Sequence, residues 1–150
     1  MLQIINDYPP NINEIRKYLP IHDKVVFTYG YRLFNPKGYR IDPALMKHEM
    51  KHADQQAEYG MTGFWIPAKY RIYKWWRRYL RDKAFRLSQE LPAYQSQYQE
   101  YAKILKDRNK LHNLTLMLAK DLASPLYGSL LSTAQALEAI KNPILYKFRV

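Results

Sequence analysis

Residues 48–52 read His-Glu-Met-Lys-His, and of all the side chains in this sequence these are the best placed to do chemistry. On an α-helix, positions four apart share a face, so His48 and His52 can each offer a ring nitrogen to one metal ion. Glu49 then lies beside the pair and can reach a water at the metal as general base. The chemistry this pattern supports is metal-assisted hydrolysis, with Zn2+ as the expected ion. The chain contains no cysteine, so disulfides and thiolate ligands are excluded and a metal must be held by His, Asp or Glu.

A hydrolytic zinc site needs a third protein ligand and an open position. Glu58 stands six residues past His52, the spacing of the third ligand in HExxHxxGxxH, but there the chain reverses at a glycine. Gln55 occupies that place here and resists the left-handed turn. On an unbroken helix residues 52 and 58 end up about 240° apart around the axis. Glu58 therefore reads as a solvated helix-end carboxylate, and Asp54 as a remoter alternative. Glu90 is the better candidate, because it arrives from a separate helix, and Ala93 one turn on is small enough to let that helix come close. Arg86 and Tyr94 lie four residues either side of Glu90. Either could stabilise an oxyanion on a substrate carbonyl, and Arg86 could equally pair with a carboxylate. Tyr29 is a weaker candidate of the same kind. Gln55 and Gln56 either orient the histidines or only pack. His22 and His112 have no ligand partner in sequence and read as structural.

Positioning these groups takes a helix at 48–52, a second helix at 90 and something to hold both. Asp42-Pro43 supplies the first helix independently, with Asp as N-cap and Pro at the first helical position. That helix should run over 43–58 and stop at Gly60. Val25 to Phe34 is rich in β-branched and aromatic residues and reads as one strand, Asn35-Pro-Lys-Gly as a turn, and Tyr39-Arg-Ile as a short returning strand. Residues 1–23 read as an irregular arm with one short helix from Ile12 to Leu19. Pro67 opens a helix toward Leu80, and others are expected over 88–108, 113–123 and 125–140. The fold class is α+β, mainly α: one domain over 1–150, with a small N-terminal β-hairpin ahead of a helical core and a C-terminal helical segment from 109.

HExxH completed by a glutamate from a second helix resembles the gluzincins. Thr28-Tyr29-Gly30, His48 to His52 with Gln55-Gln56, Trp75-Trp76 with Tyr79-Leu80, and Phe85-Arg86 with Glu90 and Ala93-Tyr94 look like small phage-encoded minigluzincins, as does Ser124-Pro-Leu-Tyr-Gly. The likeness spans about residues 24–132. It implies a zincin-type core, zinc on His48, His52 and Glu90, and hydrolysis of a peptide or protein substrate. It also implies a second possibility, a non-catalytic virion or assembly component that contacts phage structural proteins and keeps the metal. One departure is Pro92, which disfavours helical geometry at Leu91 and places Glu90 in the first turn of its helix.

The net charge of +11 favours acidic partners. From Lys69 to Arg86 eight cations stand against one anion, Asp82. Helical spacing makes this segment amphipathic, with Trp75 or Trp76 inward and the cations in solvent. Contact with nucleic acid through such a face is expected to be non-specific and lost with salt. The first residues carry no basic, apolar leader, and the apolar stretch from Leu114 to Ile140 is broken by Lys120, Asp121, Pro125 and Gly128. The expectation is a chain without a signal peptide or membrane span, cytoplasmic in the host cell or virion-associated.

Overall fold

The computed structural model describes residues 1–61 and 65–143. The fold is α+β and mainly α. Strands β1 (Gln3–Ile5), β2 (Phe27–Tyr29) and β3 (Arg32–Phe34) form one sheet in the order β1-β3-β2. Helices are α1 (Ile12–Ile15), α2 (Pro43–Glu58), α3 (Ala68–Arg81), α4 (Lys83–Ile104), α5 (Arg108–Leu122) and α6 (Thr133–Lys141), with a 3₁₀ turn at Pro125–Tyr127. Among the described residues no helix is long and apolar enough to cross a membrane.

The hairpin is tighter than its sequence suggests. The stretch 25–34 is two strands, which turn at Gly30-Tyr31 and pair Thr28 with Leu33. Gly30 has φ +61°, and a Cβ there would sit 3.1 Å from Ile72 Cδ1, so both the turn and α3 require glycine. The Gln56 side chain clasps this turn, accepting from Gly30 N at 2.8 Å and donating to Thr28 O at 2.8 Å. The expected return strand at 39–41 does not form. Asn35 instead closes its own loop, bonding both Tyr39 N and Tyr39 O. Nor is the N-terminal arm irregular: β1 pairs parallel to β3, and α1 places Ile15 in the core. Three- and four-residue elements are too short to leave a readable period.

α2 begins as expected, with Asp42 Oδ1 accepting from Leu45 N and Pro43 in the first turn. It ends at Glu58, before Gly60 at φ +71°. α4 departs from expectation. Asp82 caps it, so it starts at Lys83, and Pro92 lies in its interior. Glu90 is therefore mid-helix rather than in a first turn. The missing Pro92 N–H leaves the Ser88 carbonyl without its helical partner. In the same turn, the Gln89 carbonyl accepts from Gln55 Nε2 of α2 at 2.8 Å. α5 starts earlier than expected because Asp107 caps it. The expected helix over 125–140 is two pieces, separated at Gly128 (φ +83°) and Ser129 (φ +51°). A Cβ on Gly128 would meet Lys83 Cβ at 3.3 Å, so the chain passes close to α4 where the positive φ already favours glycine.

Two main apolar clusters flank the space between α2 and α4. One joins α1, the sheet and α3 around Ile15, Phe34, Trp75 and Trp76. The other joins α4, α5 and α6 around Leu91, Leu122 and Ile140. The inward face of α2 is mostly polar: His48, Glu49, His52 and Gln56 are all buried there.

Candidate metal centre

α2 presents His48 and His52 one turn apart, and α4 brings Glu90 against both. His48 Nε2 lies 3.3 Å from Glu90 Oε2, His52 Nε2 lies 3.3 Å from Glu90 Oε1, and the two Nε2 atoms are 3.1 Å apart. Three ligand atoms bonded at about 2.0–2.1 Å to one tetrahedral centre stand about 3.3 Å from one another. The three distances match that spacing, with His48 and His52 each facing a different oxygen of Glu90. All three side chains are buried, and they form a group able to hold a metal ion.

The far side of each ring fixes its chemistry. His52 Nδ1 is 2.9 Å from Gln55 Oε1, and the amide is oriented by its nitrogen, which donates to the Gln89 carbonyl. His48 Nδ1 is 3.0 Å from Gln97 Oε1. An amide oxygen only accepts, so each Nδ1 carries a proton and each ring turns its Nε2 toward the carboxylate. Two lone pairs and a carboxylate converging in a buried site call for a cation. In a metal-free chain a proton fills that need. Burial opposes charge on His52, but the Glu90 carboxylate more than offsets it and raises the imidazole from 6.5 to about 9. Burial likewise opposes charge on Glu90, and His52 and His48 together hold its carboxyl far below the usual range.

Glu49 stands outside this triangle. Its Oε2 accepts from Thr28 Oγ1 at 2.7 Å, which pins the carboxylate to β2. Glu49 lines the same cleft as the triad, a space of about 360 Å³ between the segment 19–28 and α4–α5. Val25, Val26 and Phe27 form one wall, next to the outer edge of β2 that Gln56 caps further along.

The other candidates divide. Tyr94 lines the cleft, its ring edge-on to His48 at 4.8 Å, and its hydroxyl donates to Asp121. Arg86 does not turn toward the triad. Its guanidinium donates to the carbonyls of Tyr79 (2.8 Å), Leu80 (2.6 Å) and Leu126 (2.6 Å). Two of these are end carbonyls of α3, so Arg86 caps that helix and ties it to the 3₁₀ turn. Three of its five N–H donors bond the backbone and it does not line the cleft, which corrects its reading as an oxyanion donor. Tyr29 packs with the α3 cluster and lies outside the cleft. Glu58 and Asp54 are exposed and remote from the triad; Asp54 accepts from Tyr31 instead. His22 lines the cleft rim, while His112 is exposed on α5. Gln55 orients His52, whereas Gln56 serves the hairpin.

Three residues escape a reading that looks only for ligands. Gln97 holds His48, Thr28 holds Glu49, and the Tyr79 hydroxyl donates to Glu90 Oε1. Burial and then Glu90 raise the Tyr79 phenol well above 10, so it stays a donor. A signal existed for Gln97: positions 90, 94 and 97 follow the i, i+4, i+7 spacing of one helix face.

No protein-family model, curated protein or solved structure matches this chain.

Proposed function

We propose that this chain is a zinc-dependent peptidase of the gluzincin type, with zinc on His48, His52 and Glu90. The observation that carries the reading is the pairing of a buried three-residue ligand group with a carboxylate, Glu49, that lines the same cleft and stands outside that group. Two imidazoles and one carboxylate, with no thiolate, suit zinc in a site that leaves a position open. Bound there, zinc would polarise a scissile carbonyl and make water more acidic.

The remaining work falls to the chain. Glu49, aimed by Thr28, takes the proton of the attacking water and returns it to the leaving amine. Gln97 and Gln55 keep both imidazoles in the tautomer that exposes Nε2. Tyr79 steadies Glu90. Tyr94 lies on the cleft wall with its hydroxyl held by Asp121, and it would have to release that bond to donate to the substrate oxygen. An extended peptide would lie along residues 25–27, where the chain leads into the outer edge of β2 and backbone pairing needs no particular sequence.

A second reading is favoured by the depth of the ligands, with His48 and His52 each 7% exposed and Glu90 4%. Here the metal is a staple between α2 and α4 in a non-catalytic phage virion or assembly component. Glu49→Gln separates the two readings. Emission analysis of purified protein should find about one zinc per chain in parent and variant alike. Hydrolysis of a mixed peptide library should fall by about 10²–10⁴-fold in the variant. A parent that holds zinc and cleaves nothing supports the staple, and a chain that takes up no zinc overturns both.

A further inference from the structure

The two sides of α3 face different worlds. Trp75, Trp76 and Tyr79 line the metal cleft. On the opposite side Arg71, Lys74, Arg77, Arg78 and Arg81 fall within about 120° of arc and run about 15 Å along the axis. They form one wall of a groove of about 660 Å³, whose other wall includes Tyr59 and Ile66. All but Arg71 are exposed. Asp82 pairs with Arg78 and Glu14 with Arg81, both at 3.4 Å. Arg71, Lys74 and Arg77 have no carboxylate partner among the described residues, so the groove keeps a net excess of three positive charges.

We infer that this outer face of α3 is a second functional surface, which binds the phosphate backbone of nucleic acid without reading its sequence. A row of cations at helical spacing repels itself unless a polyanion offsets it. Arg78 also lies over the Phe85 ring at 4.3 Å and Arg81 over Tyr18 at 6.0 Å, which holds two of the guanidinium groups in place. Tyr70 and Tyr73 are exposed beside the row, stacked at 6.5 Å, with Lys74 over the Tyr70 ring at 4.9 Å. Flat aromatic faces among cations suit bases next to phosphates. A lipid surface fits less well, because the apolar side of α3 is already buried in the core and has nothing left to insert. The inference is independent of the metal and of hydrolysis.

The test is fluorescence anisotropy with a labelled 20-nucleotide DNA, single-stranded and duplex, across 50–200 mM salt. The plot of log affinity against log salt should have a slope of about −3 to −4.5 for the duplex and about −2 to −3.5 for the single strand, as three to five phosphate contacts require. Lys74→Glu/Arg77→Glu changes two exposed side chains, so the fold, checked by circular dichroism, should be retained. It should weaken binding at low salt at least about tenfold and flatten the slope by about 2. Lys106→Glu/Lys110→Glu makes the same charge change elsewhere on the chain and should leave binding within about twofold. Equal losses in the two variants would mean that net charge alone attracts DNA, and the site would be rejected. No binding at 50 mM salt, or binding to phosphatidylserine vesicles with none to DNA, would also overturn it.

Discussion

The space between α2 and α4 and the cluster where α4 meets α5 and α6 are equally dry, yet they are built on opposite terms. Leu91, Leu122 and Ile140 are no more than 1% exposed, and each stabilises the fold by about 1.5–3 kcal/mol simply by leaving water. His48, His52 and Glu90 are nearly as buried, but burial works against them, and they gain only through what they hold. One helix serves both regions. Glu90 and Gln97 follow one stripe of α4 toward α2, Leu87 and Leu91 follow another toward α5 and α6, and Tyr94 lies between them and touches both. The apolar cluster is thus a scaffold complete in itself, and the polar wall is a socket whose stability depends on a cation.

The sharpest test of that contrast is unfolding with and without zinc. Leu122→Ala should cost about 2–5 kcal/mol in both states, since it empties a cavity remote from the ligands. Zinc at a thousandfold over its dissociation constant should add about 4 kcal/mol to the parent. That increment should survive Leu122→Ala and vanish in His52→Ala. Denaturant titrations of the three proteins in zinc and in chelator measure it. An increment lost equally in both variants would show that the two regions are not separate.

A smaller effect distinguishes two glutamines on opposite faces of one turn of α4. Gln97 holds His48, while Gln95 Nε2 donates to the Ala139 carbonyl at 2.9 Å, near the open end of α6. Gln97→Leu should weaken zinc binding about 10–100-fold with little loss of stability in chelator. Gln95→Leu should do the reverse, costing about 1–3 kcal/mol through an unsatisfied carbonyl and leaving zinc affinity unchanged. Competition against a chromogenic chelator, paired with thermal melts, reads both. Zinc affinity falling as much in Gln95→Leu as in Gln97→Leu would contradict the division of α4 into two stripes.

The parts that were legible in the sequence share a physical cause. Asp42-Pro43, Gly60 and the His48/His52 spacing are local signals, set by caps and by a 3.6-residue period, and they placed α2 to its last residue. Glu90 is legible through the gluzincin likeness and through the exclusion of Glu58, which an unbroken helix carries off the histidine face. What failed was non-local. Pro92 looked like a helix start, since a proline within a helix is costly unless neighbours compensate, and the compensating fold is not written beside it. Gly30 looked like part of a strand, because Gln56 and Ile72, which make it a turn, lie far along the chain. Arg86 sat at the right spacing for an oxyanion donor, but the end carbonyls of α3 claimed it first.

The mildest prediction concerns protons, and it asks whether the socket accepts a substitute for metal. In the chelated protein His52 is raised from 6.5 to about 9 by Glu90. A raised pKa means that the folded state binds a proton the unfolded state would lose. Its contribution to stability is therefore fully present below 6.5 and is lost as pH rises through about 9. Glu90 is lowered from 4.5, so its contribution is present above 4.5 and is lost as pH falls toward its folded value. Between these limits the metal-free socket is best satisfied, and above 6.5 its melting temperature should decline. The rest of this basic chain also titrates, so the decline is read as a difference. Glu90→Gln removes the carboxylate that raises His52 and should flatten the curve between 6.5 and 9. Leu122→Ala, on the apolar side, should lower the whole curve without changing its shape. Zinc should abolish the decline, because it displaces the proton, and its own affinity should rise with pH over the same window. Thermal melts of the three proteins in chelator at half-unit steps of pH decide the matter. A parent curve that runs parallel to Glu90→Gln would mean that His52 and Glu90 share no proton, and the converging lone pairs would then need a different partner.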